Sequence, residues 1–186
     1  MTVIKIAAIS GSIRKYSYHT GLIRSAIELS ESLDDITIEC VDISSLPMLN
    51  TDLEIDGKYP DEVEAFRQII MKSDCFLFAS PEYNYSLTPP LKNAIDWASR
   101  PPNLWADKAA AIVSTGGNAG GGRGQYHLRQ VGVFLDLHFI NKPEFVLYAY
   151  EPPAKFDSDG LLIDPQAKER LKSVLVALKA FALRLQ

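Results

Sequence analysis

Nowhere in the chain do about 18 apolar residues follow one another, the length a membrane-crossing helix needs. The N-terminal run MTVIKIAAISGS carries one lysine and a short apolar stretch with neither a secretory nor a lipidation pattern, so a cytoplasmic location is expected. Cysteine is scarce: Cys40 and Cys75 each sit in a β-like apolar run, which suggests reduced core thiols and neither a disulfide nor a metal site. Histidine is scarce too. His19, His127 and His138 have no ligand partner at helical spacing and no cysteine cluster, so no metal is assigned. A surplus of positive charge is also missing, since 19 Lys and Arg face 23 Asp and Glu for a net charge of −4. That excludes the basic field on which nucleic-acid binding depends.

What remains is ordinary globular material: 186 residues, of which 47% are hydrophobic. That length suits one domain spanning 1–186 with a full-sized core. Apolar runs at 3–9, 36–43, 75–80, 108–115 and 145–148 read as strands. Between them lie helical patterns at 21–33, 60–74, 91–99, 125–137 and 165–186. In the first, Leu22, Ile23, Ala26, Ile27 and Leu29 share one face. Strands alternating with helices imply right-handed crossovers and an α/β, doubly wound parallel sheet with helices on both faces. Five strands fit the flavodoxin-like order 2-1-3-4-5, whose ligands sit beyond the carboxyl ends of the strands near the switch point. The informative loops are therefore those after strands 1, 3 and 4.

The first of these loops, Ser10 to Thr20, is rich in groups that suit phosphate. The hydroxyls of Ser12, Ser17 and Thr20 can donate, Arg14 adds charge, and the following helix offers free N–H groups and the positive end of its dipole. The same hydroxyls also suit helix capping. Gly11 is the loop's one glycine before the helix and residue 16 is Tyr, so neither the dinucleotide fingerprint nor the P-loop pattern is met. A monophosphate fits better than a dinucleotide. The second loop, Ser80 to Pro90, is stiffened by three prolines and carries Tyr83 and Tyr85, which suit the wall of a planar ring. The third, Ser114 to Gly124, holds six of the chain's eleven glycines, so backbone amides can approach a flat ligand there.

With the three loops together, the chain resembles the NADPH-dependent FMN reductase family, which includes quinone reductases, chromate reductases and azoreductases. The likeness is carried by GSIRKYS at 11–17, PEYNYS at 81–86 and LKNAIDW at 91–97, with QYHLRQ at 125–130 and NKPEF at 141–145 in support. Among members it looks most like the plant-type NAD(P)H:quinone oxidoreductases. The resemblance implies FMN as cofactor and NAD(P)H as donor. It also implies phosphate contacts in the segment Ser12, Ile13, Arg14, Lys15, Tyr16, Ser17, Tyr18 and His19. Contacts to the flavin ring fall to Pro81, Glu82, Tyr83, Asn84 and Tyr85, and to Ser114, Thr115, Gly116 and Gly117. His19 stands where members usually carry Asn or a small polar residue.

The expected reaction is two-electron reduction of a quinone-type acceptor by hydride transfer through the flavin, with donor and acceptor sharing one site. No side chain is assigned as acid or base, while Tyr83 and Tyr85 are candidates to orient the acceptor. Asp96 and Trp97 are read as fixing their helix. Two alternatives stay open: a one-electron flavodoxin-type carrier, which usually has a more acidic face, and a flavin reductase that releases reduced FMN. Helix 125–137 is apolar beyond one face, through Leu128, Val131, Val133, Phe134, Leu135 and Leu137. A homodimer or homotetramer is therefore expected, with Tyr85 and Arg123 near the seam.

Overall fold

The computed structural model describes residues 3–186. Its strands are β1 (Ile4–Ser10), β2 (Ile36–Val41), β3 (Cys75–Ala79), β4 (Ala109–Gly116), β5 (His138–Phe139) and β6 (Phe145–Tyr148). The helices are α1 (Tyr18–Ser30), α2 (Asp61–Lys72), α3 (Pro89–Ser99), α4 (Gly122–Leu135) and α5 (Pro165–Leu185). Every pairing is parallel, in the order β2-β1-β3-β4, with β5 and β6 sharing the next place beside β4.

The order 2-1-3-4-5 is as expected, but the fifth place is split. β5 pairs with Ala109 and Ala110, and β6 with Val113 to Gly116. The expected helix 125–137 begins earlier and stops at Leu135, because Asp136 turns left-handed at φ 55° and Leu137 donates its N–H back to the Gly132 carbonyl. A strand of two residues is too short to show a period of its own, which is why the sequence pattern leaves 138–139 unassigned.

Alternation along the central strands sorts side chains to the two faces. Ile4, Ile6 and Ala8 of β1, Cys75 and Leu77 of β3, and Ala111 and Val113 of β4 pack with α1 and α5 through Leu22, Ala26, Leu171, Val174 and Leu178. The intervening Ala7, Ile9, Phe76, Phe78, Ala110 and Ile112 meet α2, α3 and α4 through Phe66, Ile70, Leu91, Ile95 and Leu128. Cys75 is a buried core thiol as expected, pushed up to about 12 by burial. Cys40 is not: β2 is the sheet's edge, and Cys40 is exposed there. No helix among the described residues is long and apolar enough to cross a membrane.

The register Ser10↔Ala79 and Ala79↔Val113 brings the carboxyl ends of β1, β3 and β4 level with one another. The three loops singled out by composition thus open on the same edge of the sheet.

Candidate functional site

The loop after β1 is built from short-range hydrogen bonds. The Ser12 N–H donates to Ser10 Oγ at 3.2 Å, and Ser12 Oγ accepts from the Arg14 N–H at 3.3 Å. Ser17 is the N-cap of α1, its hydroxyl oxygen accepting the His19 N–H at 3.2 Å. In these contacts Ser12 and Ser17 are acceptors, so each hydroxyl hydrogen is still available to donate. The first turn of α1 carries no acid, and its positive end is uncompensated by any side chain of its own. Thr20 donates to Ser10 Oγ and braces the loop from within. Gly11 is needed for close approach: a Cβ there would lie 2.8 Å from Pro81 Cδ.

The loop after β3 contains a tight hairpin. Tyr83 and Ser86 exchange both backbone hydrogen bonds at 2.9 Å, and the two residues between them, Asn84 and Tyr85, have φ of 50° and 66°. Positive φ at both central positions is the type I′ pattern, an uncommon conformation for a residue as bulky as Tyr. The hairpin lifts Tyr85 to the surface, where the Arg123 guanidinium carbon lies 4.2 Å from its ring centroid. Glu82 turns towards α4, accepting the N–H groups of Arg123 at 2.8 Å and Gly124 at 3.2 Å. Its carboxylate caps that helix in place of a side chain at Gly121, the N-cap.

At the end of β4, Ser114 is fully buried. Its hydroxyl donates to the Gly120 carbonyl and accepts from Gln125 Nε2, both at 2.8 Å. Thr115 Oγ1 donates to the Leu147 carbonyl at 3.0 Å. The Thr115 N–H donates to His19 Nε2 at 3.3 Å, joining the start of α1 to the end of β4. Burial first and the Arg14 charge second push the His19 imidazole down to about 4, with the Ser80 backbone opposing. The ring is neutral at physiological pH.

A cavity of about 270 Å³ lies between the three loops, lined by Ser12, Arg14, Ser17, Tyr18, His19, Pro81, Glu82, Tyr83, Thr115, Gly116, Gly117 and Tyr150. A second hollow, about 390 Å³, continues past Gly117 over the glycine-rich loop and shares Glu82, Thr115, Gly116 and Gly117 with the first.

The sequence profile of the NADPH-dependent FMN reductase family matches residues 4–151, most of the chain. The chain belongs to that family. It is 66% identical over 185 residues to the NADPH:quinone oxidoreductase of Arabidopsis thaliana, covering 99% of this chain and 94% of that one. Against the NAD(P)H:quinone oxidoreductase of Solanum tuberosum the identity is also 66%, over 99% and 95% of the two chains. A solved structure of the flavoenzyme NAD(P)H:(acceptor) oxidoreductase FerB from Paracoccus denitrificans superposes with a TM-score of 0.85 at 29% identity, covering 98% of each chain.

Of the residues expected at this family's cofactor site, the cavity gathers Ser12, Arg14, Ser17, Tyr18, His19, Pro81 to Tyr83 and Thr115 to Gly117. It does not gather six others. Ile13 and Lys15 line a separate hollow beside β2, which Ser12 and Arg14 also border together with Cys40 and Asp42. Tyr16 is exposed with the Lys15 ammonium over its ring, Asn84 and Tyr85 ride on the hairpin tip, and Ser114 lies beneath the floor. Tyr150 lines the cavity and escaped sequence reasoning. It follows β6 at the same edge, so the rule that picked the other three loops would have found it had the loop after 145–148 been considered.

LKNAIDW is structural. Asn93 and Trp97 both donate to the Pro47 carbonyl, at 2.8 and 2.7 Å, and Asp96 pairs with Lys92 at 2.7 Å. Outside the cofactor loops, His138 lies 3.8 Å from both Asp107 and Asp136 at the opposite end of β4, where the carboxylates are exposed.

Proposed function

We propose that this family member is an FMN-dependent NAD(P)H:quinone oxidoreductase, with NAD(P)H and the acceptor taking turns at the cavity mouth. One observation carries the reading: two hydroxyls with hydrogens to donate, a guanidinium and an acid-free helix N-terminus converge on one end of a cavity. Its other end is glycine backbone. A Cβ at Gly117 would meet nothing within 4 Å, so the missing side chain leaves room for a flat ring.

When bound, FMN supplies the two-electron hydride chemistry between nicotinamide and acceptor. This chain's own residues position and stabilise. Ser12, Ser17 and Arg14 would hold the phosphate, and the backbone of Gly116 and Gly117 would stabilise negative charge on the ring. Pro81 and Tyr83 wall the ring, and Tyr83 with Tyr150 flanks the mouth through which donor and acceptor pass. No side chain here is required to move a proton.

Self-association is part of the proposal. Val133 and Phe134 on α4 remain 83% and 89% exposed, an apolar pair that a second copy would cover. A cytoplasmic location goes with a reduced nicotinamide donor.

Two measurements test this. Double-reciprocal plots against NAD(P)H at several quinone concentrations are expected to be parallel, and intersecting lines would contradict a shared site. Ser12→Ala with Arg14→Ala removes two charge-assisted contacts of roughly 1.5–3 kcal/mol each, so FMN should bind at least about a hundredfold more weakly. Riboflavin, which lacks the phosphate, should bind both proteins equally. A loss of FMN affinity below tenfold in a folded double variant would make this loop a helix cap only.

A further inference from the structure

At the end of β4 a backbone N–H of the sheet is taken up by a side chain from α1. β3 ends at Ala79, pairing with Val113, and its chain leaves at Pro81, whereas β4 continues to Gly116. The Ser80 N–H still donates to the Val113 carbonyl at 3.0 Å, which fixes the side on which Val113 points its backbone groups. Thr115, two residues on, points the same way, towards a strand that is no longer there. Its N–H is buried and would lack a partner, but His19 Nε2 accepts it at 3.3 Å from across the fold, on the second residue of α1. An accepting Nε2 requires a neutral ring with its proton on Nδ1, and burial and Arg14 keep the ring neutral.

We propose that His19 is a positioning residue, a neutral imidazole that replaces the missing β3 carbonyl and holds the Thr115–Gly117 backbone where the flavin ring lies, and that it is not a phosphate ligand. The inference rests on the cofactor reading only for what that backbone holds. The tie itself is a property of the protein without flavin. It divides the work of the loop after β1: Ser12, Arg14 and Ser17 face the phosphate end, while His19 reaches past it to shape the ring end. Loss of the tie therefore weakens every flavin alike, whereas loss of a phosphate ligand weakens FMN alone.

The test compares the unmutated apoprotein with His19→Leu, which keeps bulk and removes the acceptor, and His19→Gln, whose amide oxygen restores an uncharged acceptor. Fluorescence titration with FMN and riboflavin is expected to show both weakened at least about tenfold in the leucine variant, with their ratio unchanged, and both largely recovered in the glutamine variant. A selective loss of FMN in either variant, with riboflavin affinity retained, would overturn the proposal. The second readout needs no cofactor. Hydrogen exchange at the Thr115 amide should be slow in the unmutated and glutamine proteins and faster in the leucine variant, and equal rates in all three would also overturn it. Should the unmutated protein bind neither flavin, the cofactor reading fails and the Thr115 exchange rates alone decide the tie. Should His19→Leu not fold, the glutamine variant decides: normal FMN-to-riboflavin ratio and Thr115 protection support the tie, and their loss refutes it.

Discussion

His19 also makes the fold sensitive to acid. The unfolded chain takes up a proton at this side chain near the ordinary histidine value of 6.5, while the folded protein resists until about pH 4. Between those limits the unfolded state binds more protons, so stability is full above pH 6.5 and declines as pH falls towards 4. A depression of that size corresponds to roughly 3 kcal/mol across the window. Urea unfolding of the apoprotein at pH 7 and pH 4.5 should show this decline, and His19→Gln should flatten it; parallel pH profiles would refute the assignment to His19. At this scale the sequence revealed chemistry better than orientation. Ser12, Arg14, Ser17 and the glycines at 116 and 117 could be picked out by residue type, and the structure gathers them at one cavity. The direction of the His19 ring was not, since its partner Thr115 lies on another strand and only the early ending of β3 exposes that N–H.

Helix α1 is held at a fixed distance from the turn that precedes α5. A Cβ at Gly21 would lie 1.8 Å from the Gly160 carbonyl oxygen, and Gly160, at φ 76°, is in turn packed on the backbone of Tyr16 and Ser17. Because the obstacle is backbone, Gly21→Ala must push the turn and α1 apart, and by analogy with overpacked cores it should destabilise by about 1–3 kcal/mol. The same displacement should loosen FMN, because Ser17, one of the proposed phosphate ligands, lies on that backbone. Thermal melts and flavin titration of the variant check both effects; an unchanged melting temperature would show that the contact yields freely. Elements of this length were readable because a long period survives irregularities: Leu171, Val174, Leu175 and Leu178 mark α5. β5 was not readable, and its two residues were left unassigned between the expected helix 125–137 and the strand at 145–148. The burial of Cys40 was misjudged for a related reason, since an apolar run does not tell a central strand from an edge.

Of the molecule's described large hydrophobic residues, Val133 and Phe134, neighbours on α4, are the most exposed. Phe134→Glu places a charge where a second copy is expected to dock, at a position that contributes little to the monomer's own core. Sedimentation velocity should therefore show a shift to a smaller species with the monomer fold intact by circular dichroism. A monomer before and after the substitution would remove self-association from the proposal.

The brace around the loop after β1 bears on the order in which the site is assembled. Phe156 stacks on Tyr18 with ring centroids 4.3 Å apart, and Gly160 lies against Tyr16, so residues near the end of the chain steady a loop near its beginning. A ribosome makes the loop first and its support last. Through most of synthesis the nascent chain carries this loop without the surface that holds it in place, so a ligand that needs the braced loop is expected to be captured only after Gly160 has been made.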